Sequence, residues 1–179
     1  MGFELKSHSF RLTGNVFHRE TGAEATQEDV WRGLELLFSE QDIRQGIVEG
    51  VIESLNILSA DADILFLTNL PHKFGDLRRT YLAEKNLDFP LVTNTGSKVP
   101  AIQRILSHRS GPVGFVADTP TNLKQVGEAL PDVHLYHFMA NDSFRDLAGD
   151  IPNTHVSTGD WQHALQVMHK TLVVGIAAP

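Results

Sequence analysis

Apolar residues recur along the chain in two alternating patterns. After Thr26, Val30, Leu34, Leu37 and Phe38 follow at helical spacing, and Asp29 sits three residues past the threonine as a capping-box partner. Ile47, Val51, Ile52, Leu55 and Leu58 share one face of a predicted helix over 46–58. The turn Asp61-Ala62-Asp63 then leads into Ile64, Leu65, Phe66 and Leu67, an unbroken apolar run ending in Thr68-Asn69. Such a run predicts a strand covered on both faces, as in a parallel sheet. The unit repeats: a helix over 76–85 leads to a strand over 89–92, and a helix over 99–107 leads to one over 113–117. A helix over 121–130 leads to a strand over 133–138, and a final helix over 160–170 is predicted with Thr158 as its cap. No element is read between 139 and 159. The apolar tail Leu172 to Pro179 carries Gly and Ala, which favours a flexible end over a last edge strand.

Helix–strand alternation with short connections predicts an α/β fold: a doubly wound, Rossmann-like parallel sheet with helices on both faces. Residues 1–45 do not follow that rhythm and read as a mostly helical, cap-like N-terminal segment ahead of an α/β core over 46–179.

Composition removes several classes of function. A length of 179 residues suits one main core. The formal charge is −7 and no basic stripe is present, so nucleic acid is excluded as a partner. The chain has no cysteine, which excludes disulfides, thiolate metal sites and a thiol nucleophile. No run approaches the roughly 20 apolar residues of a membrane span, and the N-terminus lacks the apolar core of a signal peptide. The expected setting is cytoplasmic, away from membranes.

In parallel α/β sheets ligands bind beyond the carboxyl ends of the strands. The polar residues there are Thr68-Asn69, then Thr93-Asn94-Thr95-Gly96-Ser97-Lys98, then Asp118-Thr119. A hydroxyl, an ammonium and a carboxylate converging on one spot suit a phosphate and a divalent cation. The hydroxyl and free N–H groups bond phosphate oxygens, the lysine offsets their charge, and the acid holds Mg²⁺. Asn122, one helical turn past Asp118, adds a neutral oxygen. Each residue also has an ordinary reading. Thr68 can cap a turn, Lys98 can be a solvated first-turn residue, and Asp118 can be a turn acid before Pro120.

The segments ILFLTN, GSKVPAIQRIL and GFVADTPTNLKQV, in that order and spacing, resemble the second, third and fourth motifs of the haloacid dehalogenase-like superfamily, mostly phosphatases. The resemblance runs from Gly46 to Phe138, about half the chain, and includes Gly50 before the helix that feeds the threonine strand. It implies Mg²⁺-dependent hydrolysis of a small phosphorylated molecule through an aspartyl-phosphate. In that picture Thr68 and Asn69 bind the phosphoryl group, Lys98 neutralises it, and Asp118 with Asn122 holds the metal. Thr68, Lys98 and Asp118 would form the catalytic set.

Two positions depart from the pattern. Ala117 stands where relatives carry Gly or Asp. More seriously, the first motif, an apolar strand ending in Asp-x-Asp, is missing: no aspartate precedes Asp29, which lies in a helical first turn. The segment FELKSHSFRL is too polar for a central strand and reads as an edge hairpin or a piece of cap. The expectation is therefore a chain that begins after the place of the first motif, through truncation, a late start or evolutionary loss, and that has no turnover of its own. The alternative is a non-catalytic relative that binds or regulates. Deleting a central strand leaves its neighbours about 9.6 Å apart, twice the strand spacing, so another segment is expected to fill the slot, the sheet to close up in a new order, or a second chain to donate a strand. The nine histidines show no joint spacing for a metal or a catalytic pair.

Overall fold

The computed structural model describes residues 2–175, and these fall into two compact units divided after Gly46. In the first unit β1 (Phe3–Leu5) pairs antiparallel with β2 (Val16–His18), placing Phe3 opposite His18. The intervening loop is tied by buried Asn15, whose Nδ2 donates to the Ser9 carbonyl at 3.0 Å and to Ser9 Oγ at 2.7 Å. Helix α1 (Gln27–Ser39) starts from Thr26, whose Oγ1 accepts from the Asp29 N–H, while the Asp29 carboxylate accepts from the Thr26 N–H. That reciprocal pair satisfies two N–H groups that the first helical turn leaves unbonded. A short helix α2 (Gln41–Arg44) follows. The segment expected to be mostly helical therefore opens with a hairpin.

The second unit is α/β. Its elements are α3 (Val51–Leu58), β3 (Phe66–Thr68), α4 (Gly75–Glu84), β4 (Leu91–Thr93), α5 (Val99–Leu106) and β5 (Val113–Ala117). They continue with α6 (Pro120–Ala129), β6 (Val133–Phe138), α7 (Asp142–Ala148), β7 (Thr154–Thr158) and α8 (Trp161–Met168). Among the described residues the strand pairings of this unit are parallel: β3 with β4, and β5 with β6 with β7.

Strand β6 shows why the core forms. Its side chains alternate between two faces. Val133 and Leu135 pack with Ile102 of α5 and with Leu123 and Val126 of α6, whereas Tyr136 and Phe138 pack with Leu58 of α3 and with Ala164 and Met168 of α8. A strand buried from both sides reads as a nearly continuous apolar run. A third cluster, Leu55, Tyr81, Leu82, Leu87 and Leu91, joins α3 and α4 to β4.

Several boundaries differ from the sequence reading. The helix expected from 46 begins at Val51, because Gly50 takes φ 77°, a left-handed conformation incompatible with a helix interior. The cap of α8 is Asp160, whose carboxylate accepts from the Gln162 N–H at 2.8 Å; the Thr158 hydroxyl accepts from the Asp160 N–H instead. The segment 139–159 holds α7 and β7. In the apolar tail, Leu172 and Val173 belong to a π-helical turn over His169–Val173; the part of that expectation falling on 176–179 lies outside the described residues.

The expected single sheet is two pieces, β3–β4 and β5–β6–β7, with no described strand between β3 and β5. Among the described residues no segment of this chain fills the slot as a strand. On the open edge of β3 the Leu67 carbonyl accepts from Lys98 Nζ at 2.9 Å.

Candidate functional site

A cleft of about 500 Å³ lies between β3 and β5 and is lined by Leu67, Thr68, Asn69, Lys98, Asp118 and Asn122, among others. Phe115, Val116, Ala117 and Phe138 give it apolar walls, and Thr119 completes the rim. The structure thus brings Thr68, Asn69, Lys98, Asp118 and Asn122 to one place from three separate loops.

Each is positioned by local chemistry. Thr68 ends β3; its carbonyl accepts from the Asn94 N–H at 2.8 Å, and its side chain makes no hydrogen bond among the described residues. Asn69 and Asn94 join two strand ends: Asn94 Nδ2 donates to Asn69 Oδ1 at 2.9 Å, and Asn69 Nδ2 donates to the Gly96 carbonyl at 2.9 Å. Asn94 Nδ2 also reaches the Ser97 carbonyl at 3.1 Å. With Gly96 at φ 78°, these bonds fold the β4–α5 loop back and set Lys98 at the start of α5.

Lys98 is only 9% exposed. Its Nζ donates to the Leu67 carbonyl at 2.9 Å and, more weakly, to Asn69 Oδ1 at 3.4 Å. Burial holds the ammonium below the ordinary lysine range, and the Asp118 charge offsets part of that effect. No ion pair forms at Lys98 among the described residues. The group is a buried cation held by neutral oxygens alone, an arrangement that favours an incoming anion.

Asp118 is exposed and is the one carboxylate lining the cleft among the described residues. The Thr119 hydroxyl donates to its Oδ1 at 2.9 Å. Its backbone is held from below by His137, a residue that sequence reading set aside. His137 is fully buried; its Nε2 donates to the Asp118 carbonyl at 3.1 Å, and its Nδ1 lies 2.7 Å from Ser157 Oγ. Because the carbonyl can only accept, Nε2 carries the proton and the Ser157 hydroxyl donates to Nδ1 in the neutral ring. Desolvation lowers the His137 pKa, against a smaller upward pull from Asp118. Asn122 lies in the first turn of α6 and adds an amide to the rim.

A second pairing also escaped the histidine spacing argument: His134 Nδ1 and His155 Nε2 on adjacent strands are 2.8 Å apart. It lies away from the cleft lining. Among the described residues no group of three or more His, Asp or Glu side chains gathers for a metal. The donors on the rim are Asp118 and Asn122, hard oxygens of the type Mg²⁺ accepts, and Mg²⁺ commonly completes its shell with water and substrate phosphate. A scan of family models gives no match for this chain, and neither do searches of curated proteins and of solved structures.

Proposed function

We propose that the chain is a haloacid dehalogenase-like hydrolase core, with a doubly wound sheet, that binds the phosphoryl group of a small phosphorylated molecule. The observation that carries this reading is the meeting of Thr68, Lys98 and Asp118 in one cleft at strand ends. The Thr68 hydroxyl and the Asn69 amide serve as phosphate donors, and the Lys98 ammonium supplies charge in a desolvated setting where it acts strongly. Asp118 and Asn122 would hold Mg²⁺, which when bound neutralises phosphate charge as a Lewis acid. In the parent protein the activity is Mg²⁺-dependent phosphatase chemistry.

The chain itself turns nothing over in this account. Among the described residues Asp118 is the one carboxylate in the lining and is assigned to the metal, so none of them is left to attack phosphorus. The same feature favours a second reading, a non-catalytic relative that binds a phosphorylated regulator. An in-frame Asp-x-Asp after an apolar run upstream of the first codon selects the enzyme, and a nearby stop codon selects the binder. The direct assay is p-nitrophenyl phosphate hydrolysis by pure protein with and without Mg²⁺. We expect none; Mg²⁺-dependent turnover abolished by Asp118→Ala would sink the inactive reading.

A further inference from the structure

The histidine pair away from the cleft is brought together by an irregularity in the sheet. Leu135 of β6 stands opposite Thr154 of β7, but Tyr136 stands opposite Val156, so His155 is an extra residue on β7. Val156 packs in the cluster of Tyr136 and Phe138, on the side of the sheet covered by α3 and α8. Regular alternation would turn its neighbour His155 to the other side. The bulge instead turns both to the same side. There the His155 ring lies 5.5 Å from the Tyr136 ring and 4.9 Å from the His134 ring, centre to centre. Bulges disrupt pairing and re-aim side chains, often beside functional sites; this one aims an imidazole at an imidazole.

His134 Nδ1 and His155 Nε2 are 2.8 Å apart, close enough to share one proton in an N–H···N bond. The spacing also fits two ligands of one metal ion. With metal–nitrogen bonds of about 2.0–2.1 Å, ligands at a right angle stand about 2.8–3.0 Å apart, and tetrahedral ligands about 3.3–3.4 Å. The observed distance falls at the right-angled end, the geometry that Cu²⁺ and Ni²⁺ prefer. The far nitrogens, His134 Nε2 and His155 Nδ1, make no hydrogen bond among the described residues, so they can carry the ring protons while the near pair ligates. Both rings are half-buried, which leaves water to complete the shell. The chain has no cysteine to compete for such an ion.

We propose that His134 and His155 form a two-histidine site for a divalent transition-metal ion of right-angled geometry, Cu²⁺ or Ni²⁺, which takes the place of the proton between the rings. In the neutral pair that proton passes through solvent to the vacant far nitrogen, so each ring keeps one proton and both near nitrogens offer a lone pair. The ion then clips β7 to β6, the one strand that β7 pairs with among the described residues. Irving–Williams ordering makes Cu²⁺ the tightest occupant and Zn²⁺ a weaker one, while Mg²⁺, a hard ion that seeks oxygen, is not held here. The site is separate from the cleft and stands without the phosphate reading.

The test adds Cu²⁺ in substoichiometric steps to the ¹⁵N-labelled full chain and follows the amide signals that the paramagnetic ion broadens. The first losses are expected at residues 133–136 and 154–156. Zn²⁺ is expected to shift the same amides at higher concentration, and Mg²⁺ to leave them unmoved. His134→Gln and His155→Gln each weaken Cu²⁺ binding by about tenfold or more, whereas His163→Gln, exposed on α8, leaves it unchanged. Cu²⁺ raises the melting temperature of the wild type and not that of either variant. Broadening centred on other histidines, affinity unchanged in both variants, or a wild-type melting temperature that Cu²⁺ leaves unmoved overturns the proposal and leaves a proton-bridged pair only. The wild-type broadening map decides the matter even where a variant fails to fold.

Discussion

Replacing Lys98 by methionine separates what the ammonium does for binding from what it does for the fold. The side-chain stem is retained and the charge is lost. On the stabilising side, the ammonium makes one well-formed bond, 2.9 Å to the Leu67 carbonyl, and one at 3.4 Å that is too long to count for much. A bond to a charged group contributes about 1.5–3 kcal/mol, and Leu67 is half-buried, so water can take over part of it. Against this stands the cost of burying an ammonium to 9% exposure, several kcal/mol per ion before compensation. The two nearly cancel, and Lys98→Met is expected to change unfolding free energy by no more than about 1 kcal/mol. Phosphate binding has no such offset. Loss of one charge-assisted contact of about 1.5–3 kcal/mol weakens it roughly tenfold to a hundredfold. Guanidinium unfolding and phosphate titration on the same two proteins measure both quantities. Phosphate affinity within about twofold of wild type would show that the Lys98 ammonium does not hold the anion. The pH dependence gives an independent check. The folded chain binds Lys98's proton less tightly than the unfolded chain, so stability rises with pH through the window between the lowered folded value and the ordinary 10.5. That contribution to the slope is absent in Lys98→Met.

His137 is held neutral by burial, so acid favours the unfolded chain, where the ring takes up its proton freely; stability falls as pH drops below about 6.5. His137→Leu is expected to flatten that part of the stability–pH curve and to cost about 1–3 kcal/mol at pH 7, through the orphaned Asp118 carbonyl and Ser157 hydroxyl. Denaturant unfolding at a series of pH values checks both. Leu135, at 1% exposure between β6 and α6, is expected to lose about 2–5 kcal/mol on truncation to alanine, measured by denaturant unfolding. Gly50→Ala is expected to cost about 1 kcal/mol or more from its φ of 77°; an unchanged melting temperature would show that the turn ahead of α3 relaxes.

How much of this was legible in the sequence depended on whether the signal was local. The Thr26–Asp29 capping box is a local chemical device, and it forms as read. The strands over 113–117 and 133–138 are apolar runs between turn residues, and both occur with those bounds. By contrast α7 contains only Phe144, Leu147 and Ala148 as apolar residues, and β7 only Val156, too few to announce a period. The start of α3 turned on the backbone of Gly50, which composition alone does not specify. The hairpin β1–β2 depends on a loop tied by Asn15, a contact invisible to periodicity.

The site divides in the same way. Polar residues at strand ends could be read in order, since parallel topology collects such positions at one edge of a sheet. His137 could not. Its role depends on the register that sets Ala117 opposite His137, which places the ring against the Asp118 carbonyl. Nor could the split of the sheet: the partner of the Leu67 carbonyl on the open edge of β3 is a lysine 31 residues away in sequence.

In the proposed site a hydroxyl, an ammonium and a carboxylate from three loops grip one anion together with its counter-ion. This grip is tested most directly by following the backbone amides of the ¹⁵N-labelled chain during titration with inorganic phosphate, first without and then with Mg²⁺. Saturable shifts centred on Thr68, Asn69, Lys98 and Asp118 are expected, with tighter binding when Mg²⁺ is present and no such gain in Asp118→Asn. Shifts at other residues, or none, would contradict it.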